Sequence, residues 1–317
     1  MSKTEKKTLL KADNSCIGPE LLLLSKVIER FNSRNVLEVV ALLAGIKPVM
    51  RLVLDNSSRD VIESMLSQLG LHTVRSRWNL KESYNTTLGD VYTELTEPDD
   101  SENSSFVIMV SQKRETAEKA MHFEDSEEEN GALEKLLGYP TCCVKSYRNI
   151  NEAHDWLEEL LVNTKHSDCY SWCANRISYL FSENSLFYDY FPCSLECGRT
   201  IEISRQILEA ATTYGIRREC EKWRQEMCRP VLLRNGVVVQ MREYSSHDRG
   251  GQLDFNPRKF TLHGWKVTPG ADEDFVWVSD SVKRHGRKLQ FLKEGKVTGA
   301  FPEETTDNRM LVFKEEL

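Results

Sequence analysis

Two pairs of cysteines constrain this chain more than any other feature. In LGYPTCCVKSY, residues 137–147, Cys142 and Cys143 are adjacent; in FPCSLECGRTIEISRQIL, residues 191–208, Cys193 and Cys197 are four apart. Gly138 and Pro140 break the helix before the first pair, and Thr141 is a suitable N-cap, so that Cys142 and Cys143 open a new helix. Pro192 breaks the chain before the second pair. That puts Cys193 near a cap, with Cys197 one turn later on the same helical face. Both pairs are thus expected at helix N-termini. There the free amides and the helix dipole favour anions, and a thiol ionises more readily than at its free pKa of about 8.5.

Zinc and iron–sulfur clusters both take deprotonated sulfur, commonly four atoms of it. Cys142, Cys143, Cys193 and Cys197 supply four. Their spacing, CC, then 49 residues, then C-x-x-x-C, differs from the C-x-x-C of ribbon-type sites. Two adjacent ligands on one small centre are strained, which favours a larger cluster or a loop-held pair over a tight zinc knuckle. An iron–sulfur cluster is therefore preferred slightly over zinc. Two other readings stay open on the residues alone: redox or nucleophilic thiols, and small buried hydrophobes. A second C-x-x-x-C, Cys169 and Cys173, competes for the ligand role. It lies among the aromatics of DCYSWCANRISYLF, where core packing is the better account. Cys220 and Cys228 fall on one helical face and read as structural, and Cys16 stands alone.

LGYP-x-CC followed some fifty residues later by PCS-x-x-C resembles an uncharacterised prokaryotic family, domain of unknown function 483. The resemblance rests on Gly138, Tyr139, Pro140, Cys142, Cys143, Pro192, Cys193, Ser194 and Cys197, and covers residues 120–210 or so. It implies that the paired cysteines are the hallmark of the region, and it implies no activity. The flanking thirds of the chain lie outside it.

Composition narrows the remaining classes. Nine cysteines in 317 residues, an odd number with no apolar leader core near Met1–Lys11, point to a reduced cytoplasm rather than a disulfide scaffold. No apolar run approaches the roughly 20 residues that span a bilayer. A formal net charge of −7 argues against nucleic acid or an anionic membrane as the main partner. The densest positive stretch is Lys283, Arg284, Arg287 and Lys288, near Phe275, Trp277 and Phe291. A solvated hairpin turn is preferred over an RNA contact there. Arg217, Arg218, Lys222, Arg224 and Arg229 alternate with Glu219, Glu221 and Glu226, as on a salt-bridged exposed helix. His166, three residues before Cys169, reads as a solvated loop histidine rather than a ligand. His154, Asp155 and Glu158 read as the polar face of an amphipathic helix. No Walker loop, G-x-G-x-x-G, H-E-x-x-H or nucleophile elbow is present.

Periodicity divides the chain into four parts. Residues 1–18 are polar and expected to be disordered. Residues 19–128 read as an α/β unit, opening on a helix from Pro19. A second helix, 36–44, stops at Gly45 and Pro48. A strand follows at 49–54, then a helix at 57–69 with Ser57 and Asp60 imitating a capping box, strands at 72–78 and 106–111, and a helix at 113–124. That order suits a small sandwich, and a ferredoxin-like one is among those it allows. Residues 129–228 read as a helical cysteine-rich domain. Residues 229–317 are β-rich, with a hairpin at Asn235-Gly236, a second turn at Gly295, and strands in FVWVSD and MLVF.

The fold class is thus α+β. The expected function is that of a cytoplasmic metalloprotein binding an iron–sulfur cluster or zinc through four cysteines. As an enzyme it would act on a small polar or anionic substrate, with Tyr139, Ser194 and Arg199 lining the pocket by their adjacency to the ligands. The alternative is a non-catalytic, zinc-stabilised or thiol-packed module that binds a protein partner.

Overall fold

The computed structural model describes residues 33–85, 90–96, 104–126, 131–148, 156–181, 187–234, 237–241, 244–247, 252–255, 260–264, 281–285, 288–294, 296–303 and 309–314. Several expectations fall outside them: the 1–18 segment and Cys16, the helix from Pro19, His154 and Asp155, the Asn235-Gly236 turn, the strand FVWVSD, Arg287 and Gly295. The fold is α+β. It divides into two compact units, one running to Leu137 with residues 210–217 added, the other comprising Gly138–Glu209 and Arg218–Leu317.

In the first unit α1 (Ser33–Leu43) leads to β1 (Met50–Asp55), α2 (Arg59–Gln68), β2 (His72–Asn85), β3 (Asp90–Thr96), β4 (Ser105–Ser111) and α3 (Arg114–Ser126). Gly45, at φ +68°, ends α1, and the amide of Ile46 reaches back to the Ala41 carbonyl. The sheet order is β1-β4-β2-β3, with β4 antiparallel to both β1 and β2. β1, α2 and β2 therefore make a split βαβ with an antiparallel strand in its gap, the central device of a ferredoxin-like sandwich. β4 is flanked on both edges and buried from Phe106 to Ser111, which explains its unbroken apolar run. β3 was not anticipated. It pairs with the far half of β2 at the outer edge of the sheet, where β2 runs on to Asn85 after a register shift between Arg75 and Asn79. The Ser57 capping box does not form. Ser58 occupies the cap position and its hydroxyl donates to the Asp55 carbonyl instead.

The second unit carries the cysteines. Past the short α4 (Ala132–Leu136), which belongs to the first unit, come α5 (Thr141–Tyr147), α6 (Trp156–Asn163), β5 (Tyr170–Ser171), two 3₁₀ turns at 172–174 and 176–180, α7 (Gly198–Thr213) and α8 (Arg217–Met227). Then follow β6 (Val231–Arg234), β7 (Val237–Met241), β8 (Tyr244–His247), β9 (Gln252–Phe255), β10 (Phe260–Gly264), β11 (Ser281–His285), β12 (Lys288–Lys293), β13 (Lys296–Pro302), β14 (Arg309–Leu311) and β15 (Phe313–Lys314). β10-β7-β6-β14 form one sheet and β13-β12-β11-β9-β8 another. β6 and β7 pair with Arg234 opposite Val237, the register a two-residue hairpin requires. Leu232, Val239, Met241 and Met310 from the first sheet and Val282, Leu289 and Phe291 from the second share one apolar core.

Two links tie the helical stretch to the β-rich stretch. β15 pairs in parallel with β5, Phe313 opposite Tyr170. Arg309, 2% exposed, donates to the carbonyls of Leu161, Thr164 and Lys165 at the end of α6 and to the Tyr170 hydroxyl. A guanidinium there satisfies carbonyls that a helix C-terminus leaves without partners and complements its dipole.

A third link corrects one expectation. His166 is an exposed loop histidine, as expected, and its Nε2 lies 2.9 Å from Glu303 Oε2. Arg284 is not part of an exposed basic turn: at 4% side-chain exposure its guanidinium grips the fully buried Glu303 carboxylate at 2.9 and 3.0 Å and reaches Asp168. Burial alone would raise the Glu303 pKa; the two bonds and the charge of Arg284, with His166 and the Met310 amide, bring it below the ordinary 4.5. Because the folded value is depressed, the ionised pair stabilises the fold above about pH 4.5, and that contribution is lost as pH falls through the folded value. Replacing Glu303 by Gln leaves a buried guanidinium without its counter-charge. The expected cost is about 3 kcal/mol or more at neutral pH, shrinking on acidification, read from urea unfolding midpoints.

Candidate metal centre

Each sulfur is placed by local backbone chemistry. Gly138 adopts φ +76°, a left-handed conformation that carries the chain out of the preceding helix and into Pro140. Pro140, not Thr141, is the N-cap of α5: its carbonyl accepts the amides of Cys143 at 2.9 Å and Val144 at 3.0 Å. Cys142 and Cys143 therefore sit in the first helical turn, Cys142 exposed and Cys143 buried. Its neighbour in sequence thus faces the opposite environment, as consecutive helical positions do.

The second pair does not share a helical face. Residues 193–197 form a turn closed by the Cys197 amide on the Ser194 carbonyl at 3.2 Å, and α7 begins only at Gly198. The expected i, i+4 stacking is replaced because the chain leaves Pro192 in a non-helical turn that Leu195, fully buried, anchors through its amide to the Thr164 hydroxyl at 2.9 Å. Cys197 itself is the N-cap of α7. Its carbonyl accepts the Ile201 amide at 3.0 Å, and the Thr200 amide donates to its sulfur, the bond a serine or aspartate oxygen would accept at an ordinary cap.

These placements bring the four sulfurs together. Cys142, Cys143, Cys193 and Cys197 lie with every Sγ within 4.8 Å of every other. Cys142 and Cys143 are 3.9 Å apart, Cys142 and Cys197 3.8 Å, and Cys143 and Cys197 3.6 Å. The group could hold a metal ion, and it is the one such cluster among the described residues.

The electrostatics follow from crowding. Hydrogen bonds from Cys143 and from Cys193 drive the Cys197 thiol far below its ordinary range against the effect of burial, helped by the Thr200 hydroxyl and amide. Cys143 is pushed well up, by its bonds to Cys193 and to Cys197 and by burial. For Cys193 the bond with Cys143 lowers the value, but the bond with Cys197 and burial outweigh it and carry the thiol to about 12.

A hydroxyl relay backs the cluster. Thr200 Oγ1 lies 3.6 Å from Cys143 Sγ and accepts from the Tyr190 hydroxyl at 3.3 Å. Burial raises the Tyr190 pKa well above 10, so the phenol keeps its proton to donate. Tyr190 packs on Tyr188 and Tyr139, with ring centroids 4.8 and 5.1 Å apart. Sequence reasoning missed Thr200 and Tyr190. The available signal was Thr200 three residues after Cys197, the spacing of a cap and the amide it receives.

The other singled-out residues are placed as follows. The Tyr139 hydroxyl is held by Asp189 at 2.8 Å. Ser194 serves the cluster through its backbone carbonyl, and Arg199 is exposed in the first turn of α7. Cys173 is buried with its carbonyl accepting the Ser204 hydroxyl, and Cys169 packs partly against the β core; neither joins the four. Cys220 and Cys228 are buried, Cys220 pushed up to about 12 by burial. On α8 and just past its end the expected salt bridges form, with Arg224 paired to Glu221 and Arg229 to Glu226.

No helix among the described residues is long and apolar enough to cross a membrane. No curated protein and no solved structure matches the chain. Residues 121–225 do match a family model, described as Protein of unknown function (DUF483), and that span contains both cysteine motifs and every residue of the cluster, so the site-bearing centre of this chain is a DUF483 region.

Proposed function

We propose that the chain is a zinc protein in which Cys142, Cys143, Cys193 and Cys197 hold one ion in a closed, structural tetrathiolate site. The observation that supports this most is the sulfur spacing. With Zn–S bonds of about 2.3 Å, the edge of a regular tetrahedron of sulfurs is about 3.8 Å. Three of the six pairs measure 3.6, 3.8 and 3.9 Å, and all six lie within 4.8 Å. An iron–sulfur cluster distributes its cysteines over separate irons with sulfide between them, which sets the ligand sulfurs farther apart than a single-ion edge. The preference for iron drawn from the strain of adjacent ligands gives way to this distance argument. Cys142 and Cys143 need not strain, because one helical turn already directs both sulfurs at Cys197.

Four thiolates fill a tetrahedron, and a filled tetrahedron leaves no position for substrate, which favours a structural over a catalytic site. Its role follows from where the ligands lie. The ion would join the start of α5, the 193–197 turn and the cap of α7, segments some fifty residues apart in sequence. Binding requires the thiols to surrender their protons, so metal and fold are coupled.

Purification under anaerobic conditions should yield a colourless protein with one zinc per chain, and cobalt substitution should give the intense charge-transfer bands of tetrahedral thiolate. A brown protein with iron and acid-labile sulfide would overturn the zinc assignment. Metal-free protein whose stability survives all four cysteines becoming serine would overturn the metal reading altogether. Within the same reading, Thr200→Val removes the hydroxyl beside Cys143 while sparing the amide at Cys197. It should weaken metal binding by about tenfold, the usual scale for a partner of a ligand, as read by competition with a zinc chelator.

A further inference from the structure

We infer that Cys142 is a peroxide-reactive site and Cys197 its resolving thiol, so that oxidation converts the centre into a disulfide joining the start of α5 to the cap of α7. Exposure separates the four sulfurs. Cys142 is exposed and Cys193 intermediate, whereas Cys143 and Cys197 are 1% and 6% exposed. A small oxidant from solvent therefore meets Cys142 first, since access decides which thiolate is oxidised.

Geometry then selects the partner. Cys143 lies 3.9 Å and Cys197 3.8 Å from Cys142, and Cys193 lies within 4.8 Å. Adjacent residues have Cα atoms about 3.8 Å apart across a trans peptide, below the range of about 4.4–6.8 Å that disulfides span. Pairing Cys142 with Cys143 would also distort the first turn of α5, where the Cys143 amide is bonded to Pro140. Cys197 carries no such penalty. Its backbone belongs to a different segment, and its sulfur is already aimed at Cys142.

The chemistry balances with hydrogen peroxide as oxidant. The Cys142 thiolate attacks one peroxide oxygen, the O–O bond breaks, and hydroxide leaves, giving a sulfenic acid. The Cys197 thiolate attacks that sulfur, the S–S bond forms, the S–O bond breaks, and a second hydroxide leaves. Each sulfur gives up one electron, and peroxide is reduced to two waters on taking up two protons. Two of four ligands are consumed, so a bound ion is released. The release rests on the zinc reading; the choice of sulfurs does not.

The test uses the full chain, purified anaerobically, its metal content measured first. Brief alkylation with iodoacetamide should label Cys142 ahead of the other three. One equivalent of hydrogen peroxide should produce a Cys142–Cys197 disulfide and release zinc in step with it, followed with a chromogenic chelator. Cleavage after Glu196 separates Cys193 from Cys197, and fragment-ion sequencing distinguishes Cys142 from Cys143. Cys142→Ser should slow peroxide consumption by about tenfold or more, and the wild-type labelling order gives the same answer should that variant not fold. A disulfide between any other pair, or first labelling at Cys193, overturns the proposal. Protein isolated without metal that still forms Cys142–Cys197 would sink the zinc reading and leave this one standing.

Discussion

Four sulfurs within 4.8 Å of one another cannot all be anionic unless a cation sits among them. Two unit charges 3.8 Å apart repel by about 4 kcal/mol even at an effective dielectric of 20, and four such ligands make six pairs. Within the cluster the negative charge is favoured at Cys197, by hydrogen bonds from Cys143 and Cys193 and then from the Thr200 hydroxyl and amide. With a divalent ion the repulsion becomes attraction, and the same geometry becomes a ligand set. The local structure of the helical centre follows from meeting that condition. A left-handed glycine, a proline cap, a turn closed by Ser194 and a cysteine cap each deliver a sulfur to one point.

The sequence made the four ligands legible but not the way in which they meet. Residue types and the two prolines located both motifs, because helix starts have strong chemical signatures. The second pair was read as a helical face, whereas it is a turn followed by a cap. Spacing alone cannot separate these cases, since i and i+4 approach one another in a helix and in a closed turn alike. What distinguishes them is Gly198, which starts α7 only after Cys197. Thr200 was overlooked for a related reason: its cap spacing from Cys197 matters because a sulfur takes the place of the oxygen that usually caps a helix.

In the first unit the alternation in β1 and the continuous apolar run in β4 mark their strands, because burial on one face or two leaves a direct imprint on composition. β3 left no such imprint. It pairs at the sheet edge with the extension of β2, where few positions need be apolar, so no strand was expected between 78 and 106. Long-range charge pairing is harder still. His166 and Glu303 are 137 residues apart, and nothing local to either announces the other. The basic run around Arg284 looked solvated for the same reason.

The pairing of Glu303 and Arg309 with the helical stretch also bears on why so dissimilar a tail accompanies the cysteine region. Arg309 ends α6 by occupying its last carbonyls, and Thr164, in the same α6 terminus, holds the amide of Leu195 in the turn between Cys193 and Cys197. The Thr164 hydroxyl donates to Leu160 while accepting from Leu195, so it works only where the helix end is held in place. β14 and β15 therefore do more than complete a sheet. By fixing the end of α6 and pairing with Tyr170, they fix the surface against which the second cysteine turn is built. Four sulfurs gathered within 4.8 Å of one another need that kind of rigid backing. The β-rich half of the second unit is, on this view, the frame that holds one wall of the cysteine cluster.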